Sequence, residues 1–459
     1  MKRILSCLAL LAAVACSQKQ NPTLPVSEYE ACIENISVVP TDNTLRFKVD
    51  ITTKKSCEPF VEIRKQGEES WQKMPGTTAI LLYPNSEYEC RVGVGKSYGD
   101  PIPFTTGAIP ENVSSYQMTL NDGGPTAGYL IQHKESAPGC ITISDVYGQV
   151  LWYEMFEEPI RCVDYNIETG KLAILHGTYL FPDDKTTPKP SKEIIVMGLD
   201  GTRYNTIKAS DETIRFPHHE IRWLPNGNLL TINHASRDYD LTSVGKPANS
   251  TVWSDIFVEI DLSGKPVWEW NLFDQIDLVA YWPILKKYRP KMGIMKDFVH
   301  TNSLAKDAEG NYYASLYYPE EIWKIDGKTK EILYKFGPNG DITLEGGYPL
   351  GGYHSIVLLG PDKFLLNKNP RKLDEPCRAQ IFEVDPKTKT AVKLLDVASD
   401  LEFASTTSCN VQLLPDGNTI LFNSTQGNAC IFTDMTGKSL RIIRRYDTCY
   451  RSFYFEKLF

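Results

Sequence analysis

No Cys-x-x-Cys and no His-Glu-x-x-His occurs anywhere in the 459 residues, which argues against a structural zinc site built on those spacings. Positive charge is not in excess. Lys and Arg number 49 against 57 Asp and Glu, a formal charge of −8, and no basic stripe is offered to nucleic acid. An acidic chain can still hold a locally positive site, so anionic substrates stay open. Beyond the first fifteen residues no run is long and apolar enough to be a transmembrane helix. Histidine is scarce, seven in all, and where those seven fall carries most of the functional signal.

The N-terminus reads as a targeting segment. Met1-Lys2-Arg3 is cationic, the apolar run 4–15 is too short to span a membrane, and Leu11-Ala12-Ala13-Val14-Ala15-Cys16 resembles the bacterial lipobox. The expectation is a signal peptide over 1–15, lipidation of Cys16 and a polar tether over 16–23. The protein would then be an exported lipoprotein, periplasmic or anchored at the outer membrane, where disulfides can form. Setting aside Cys7 and Cys16, nine cysteines remain (32, 57, 90, 140, 162, 377, 409, 430 and 449), so at least one is unpaired and the connectivity stays open.

Two regions follow. Residues 24–108 carry short alternating strands such as 44–51 and 60–64, and Leu82, Pro84, Ser86 and Tyr88 have the spacing of a tyrosine corner. A β-sandwich resembling fibronectin type III or immunoglobulin domains is expected there, without chemistry of its own. Residues 109–459 are repetitive. Hairpin patterns recur at 140–152, 194–201, 257–268, 322–327, 381–386 and 431–437, roughly fifty to sixty residues apart. A second turn family alternates with them at 168–170, 224–227, 307–310, 360–362 and 414–417. Two hairpins per repeat make four strands, the size of a propeller blade. The fold expected is therefore all-β: a six-bladed β-propeller behind a small β-sandwich. A linear β-solenoid fits less well, because its repeats are much shorter.

Aligning the repeats on the second turn puts five residues at one register position. Eight residues before the turn stand Cys162, His219, Asn302, His354 and Cys409. Equivalent positions on the innermost strands ring a propeller's channel, so His219, Asn302 and His354 converge, with His300 on the same face as Asn302. Their segments are His218-His219-Glu220-Ile221, Lys296-Asp297-Phe298-Val299-His300-Thr301-Asn302-Ser303 and Tyr353-His354. The remaining His133, His176 and His234 read as buried histidines bonded to backbone, and Cys162 and Cys409 as packing or disulfide residues. Three convergent histidines could also ligate zinc or copper. No carboxylate occupies a matching register position, which weighs against that, and no metal and no cofactor is expected.

At these segments, and at Arg378 to Asp385 and Tyr450-Arg451-Ser452-Phe453-Tyr454, the chain resembles the bacterial aryl-sulfate sulfotransferase family over most of 110–459. The resemblance implies transfer of a sulfuryl group from a phenolic sulfate ester to a phenol acceptor, without a nucleotide cofactor. His354 would be the nucleophile that becomes sulfated. His219, His300 and Asn302, with His218 alongside, would hold sulfuryl oxygens or carry protons. Tyr317, Tyr318 and Tyr353 would stack on the phenol ring. The chain departs from the family where an arginine follows the His-x-Asn-Ser strand, because Tyr317 stands there. Lys368 or Arg371 would have to supply the missing cation. A non-catalytic propeller binding an anionic or aromatic ligand, and an arylsulfate hydrolase, are the competing readings.

Overall fold

The computed structural model describes residues 27–177, 193–210, 214–215, 217–288, 298–348 and 351–459. The signal and tether segments with Cys16, and Lys296 and Asp297, lie outside the described residues. The protein is nearly all strand. Two small sheets come first, one joining Ile33–Pro40, Phe47–Thr53 and Thr78–Ala79, the other built on Phe60–Lys65 and Glu87–Val94. The corner read from the sequence is present: the hydroxyl of buried Tyr88 accepts the Tyr83 N–H at 2.8 Å. Cys32 and Cys57 form a disulfide, while Cys90, Cys140, Cys162, Cys377, Cys409, Cys430 and Cys449 are buried thiols.

Among the described residues from Tyr116 onward the strands form six sheets, four of four strands and two of five. Both turn families fall at hairpins. The second family closes on left-handed backbone at Gly170, Gly227, Gly310, Asp362 and Gly417. Aspartate at 362 adopts with φ +55° what glycine provides in the other four, as Asp does more readily than bulkier residues. The alternating apolar faces of neighbouring sheets meet in shared cores. Phe336, Phe364 and Phe382 fill one of them, with Tyr353 alongside.

The ends of the chain are stitched into this array. Phe453–Phe455 pairs with Tyr129–His133 as the innermost strand of the first sheet, and Tyr116–Asn121 pairs with Ser439–Arg445 as the outermost strand of the last. The innermost strands are thus Phe453–Phe455, Ile160–Asn166, Pro217–Trp223, Thr301–Lys306, Gly352–Gly360 and Asn410–Leu413. Side chains bridge them one to the next. Asp164 accepts the Trp223 N–H, Ser303 donates to Glu220, Asn302 donates to the Tyr353 carbonyl, and Asn410 exchanges two bonds with Ser452. These polar residues on inner strands are tolerated because they find partners across the gap.

Candidate active site

The inner strands are irregular where the histidines sit. Register slips occur between His218 and Ile221, Thr301 and Ser303, and His354 and Val357. His219, His300, Ser355 and Cys409 have φ of +57°, +53°, +58° and +74°. Left-handed backbone at a residue with a β-carbon costs roughly 1–2 kcal/mol. Four repeats of it at one level of the array re-aim side chains inward, a known use of bulges beside functional sites.

The result is a contiguous cluster. The His219 and His300 rings lie 4.7 Å apart, His300 and Tyr317 5.6 Å, and Tyr317 and His354 5.0 Å. His219 and His354 are almost fully buried, whereas His300, Tyr317 and Tyr318 are half-buried and line the approach. His354 Nδ1 lies 2.6 Å from Asn369 Oδ1, and its Nε2 accepts the Ser408 N–H at 3.2 Å. An amide oxygen only accepts, so Nδ1 carries the proton and Nε2 the lone pair. Burial, then the Arg451 guanidinium and His300, holds His354 well below the usual histidine range. Burial, then Arg161 and His300, does the same to His219. Both imidazoles are neutral at physiological pH.

Two arginines set the charge. Arg451 is fully buried, donates to the carbonyls of Asn302 at 2.9 Å and Cys409 at 2.5 Å, and lies 3.5 Å from Glu220. Arg161 lies 4.2 Å over the Tyr450 ring, and that ring is 5.7 Å from His219. Neither cation came out of the register comparison. Arg161 directly precedes Cys162, one residue off the aligned position, and Arg451 lies two residues before the strand Phe453–Phe455, which has no turn to align on.

Five expectations need correction. Tyr353 is no stacking platform at the mouth, because its ring is buried in a core against Phe382 and only its carbonyl reaches Asn302 and Ser315. Lys368 pairs opposite Tyr353 and Arg378 and faces Glu375, Arg378 and Asp396, away from the histidines, so it does not replace the family arginine. Arg371 does approach, 5.8 Å over the Tyr317 ring, but is paired with Glu320. His218 lies behind His219, its Nδ1 2.6 Å from His219 Nδ1. His234, read as a lone buried histidine, packs against His218 with ring centroids 4.0 Å apart. Asp255 stands beside both imidazoles. A comparison confined to inner strands could not find Asp255, which comes from the third strand of its sheet.

Buried neutral histidines make stability depend on pH. His133 is pushed down to about 3 by burial, then by Arg161 and Arg445, and His354 lies well below 6.5. Unfolded, each titrates near 6.5. Their contribution is therefore complete above that pH and is lost as pH falls, at about 1.4 kcal/mol per pH unit for each group. Asp164, pushed up to about 6 by burial, works the other way below that pH and offsets one of them. The expected net loss from pH 6 to pH 5 is at least about 1.4 kcal/mol in urea unfolding. A flat profile over that interval would mean these imidazoles are not held neutral.

Among known proteins, the family matched is arylsulfotransferase (ASST), over residues 187–444. No curated protein matches the chain. Solved structures similar in fold include a protein of unknown function from Bacteroides caccae, 12% identical with a TM-score of 0.45, covering 72% of this chain and all of that one. Another is the Cps50 (Swd1) β-propeller domain of Myceliophteria thermophila, 13% identical with a TM-score of 0.37, covering 75% of this chain and 88% of that one.

Proposed function

We propose, since the chain belongs to the arylsulfotransferase family, that the histidine cluster moves a sulfuryl group from a phenolic sulfate ester to a phenol acceptor by way of sulfated His354. The observation that carries this reading is the state of His354: neutral, with its proton fixed on Nδ1 by Asn369 and its lone pair on Nε2. A neutral imidazole nitrogen attacks sulfur as the bond from sulfur to the phenolic oxygen breaks, dividing one hard transfer into two easier ones. The phenolic oxygen leaves as phenolate with the electron pair of the S–O bond. In the second half an acceptor phenol gives its proton to a neighbouring neutral imidazole as its oxygen attacks sulfur, and the S–N bond breaks with its electron pair returning to Nε2.

Charge on the transferred oxygens is balanced by groups already in place. The Ser408 N–H, once Nε2 is occupied by sulfur, is left beside the sulfuryl oxygens as a donor, and His300 presents a further ring nitrogen at the mouth. Arg451 supplies positive potential from behind His354 and serves where the family's arginine is replaced by Tyr317. Tyr317 and Tyr318 are half-buried rings against which a phenol can stack.

Covalent transfer requires a burst. With 4-nitrophenyl sulfate and no acceptor, one equivalent of nitrophenol per protein should appear rapidly and then stop, and adding phenol should restart turnover with parallel-line, two-substrate kinetics. Continuous release without acceptor would point to a hydrolase. Binding of the ester without any release would point to a non-catalytic module.

A further inference from the structure

Behind His219 lies a second group of side chains that sulfuryl transfer does not use. His218, His234 and Asp255 are all buried, and one potential ligand atom from each falls within 4.8 Å of the others. We infer that this trio is a divalent-metal site of the zinc class, with His218 Nε2, His234 Nε2 and one Asp255 oxygen as ligands.

The distances decide against an ordinary hydrogen-bonded triad. Asp255 Oδ1 lies 3.3 Å from His218 Nε2 and 3.6 Å from His234 Nε2. Charge-assisted N–H to carboxylate bonds run about 2.7–2.9 Å. Tetrahedral zinc, with bonds of about 2.0–2.1 Å, separates its ligand atoms by about 3.3 Å. The two edges to Asp255 are closer to the second geometry than to the first. Two imidazoles and a carboxylate are a donor set that zinc takes, with one coordination position left over.

The surroundings are those of a metal site. Asp255 Oδ2 accepts the Thr301 N–H at 2.7 Å, which fixes the carboxylate and leaves Oδ1 toward the imidazoles. His218 engages His219 through Nδ1 at 2.6 Å, the outer-nitrogen contact that orients a ligating histidine. The His218 and His234 rings cross at 63°, with both Nε2 atoms facing the same carboxylate oxygen.

The site has a consequence for the cluster in front of it, and this step alone rests on the transfer reading above. A metal on His218 Nε2 keeps the His218 proton on Nδ1, where it donates to His219 Nδ1. The His219 proton is then on Nε2, so His219 is a hydrogen-bond donor to the sulfuryl group, and proton exchange with the phenol falls to His300. The metal thereby acts as a positioning group for His219.

The test uses the full chain, stripped with chelator, reloaded with Zn2+ and desalted. The wild-type protein should retain one zinc per chain by elemental analysis, and zinc should raise Tm. His234→Ala and Asp255→Asn should each weaken retention on the order of 100-fold or more and abolish the Tm response. His176→Ala, which removes a buried histidine bonded to Glu193 instead, should bind like wild type. Co2+ in place of Zn2+ should give tetrahedral visible absorption in wild type alone. Absence of retained zinc together with an unchanged Tm in wild type would overturn the site. So would equal retention by His234→Ala and Asp255→Asn, since the ion would then be held elsewhere. Zinc retention is read without substrate, so a failed burst with zinc bound would contradict sulfuryl transfer and leave the metal site standing.

Discussion

Replacing His354 with alanine should abolish turnover of 4-nitrophenyl sulfate with phenol, lowering kcat at least about 10⁴-fold, and should remove the burst with it. The two losses are coupled because one nitrogen forms the bond in the first half-reaction and releases sulfur in the second. Among the described residues, His354 is the imidazole whose bonding leaves a defined tautomer with its lone pair on Nε2. His219 is committed through Nδ1 to His218. The variant should remain folded by circular dichroism. Turnover within tenfold of wild type would assign the nucleophile to another residue.

The second large effect is on stability. Arg451→Met should lower the unfolding free energy by about 3–5 kcal/mol in urea titration, the usual cost of removing one partner from a buried ionic group. Arg451, just before the C-terminal inner strand, reaches the Asn302 and Cys409 carbonyls and the Glu220 carboxylate. Its loss leaves the Cys409 carbonyl short of a donor, leaves the Asn302 carbonyl to the Tyr450 hydroxyl, and weakens the positive environment of Glu220, which retains Arg222 at 3.1 Å. Arg451→Lys should recover little, because one ammonium cannot span both carbonyls in the guanidinium's geometry. A cost below about 1 kcal/mol would show that the inner strands close without this clamp.

Much of the architecture could be read from periodicity. Turn glycines and alternating apolar runs give hairpins directly, and the repeat of both turn families gives the stacking of sheets. The register rule brought His219, His300 and His354 together because strands counted from equivalent turns reach equivalent depths. Residues chosen for lying beside the His354 strand went astray where depth and direction part company. Tyr353 neighbours His354 in sequence, yet successive residues of a strand face opposite sides, so its ring joins a core. Lys368 fails for the same reason, being one residue from Asn369, which does face the site.

Other parts of the cluster left no periodic trace. Arg451 lies just before a strand contributed from the far end of the chain, and its proximity to His354 exists only once Phe453–Phe455 has paired with Tyr129–His133. His234 and Asp255 lie on the second and third strands of their sheet, paired directly across from one another. A histidine and an aspartate twenty-one residues apart have no recognisable spacing motif. Only the hairpin joining Leu229–Tyr239 to Ser250–Ile260 brings them together, with His218 arriving from the inner strand beside them.

The most direct test of sulfuryl transfer through His354 is the intact mass of the protein after exposure to an aryl sulfate donor with no acceptor. The predicted result is a gain of one SO3 group per chain, located on the peptide containing His354 and discharged when phenol is added. An unchanged mass under conditions where the donor is turned over, or an SO3 group found on a peptide lacking His354, would contradict the account.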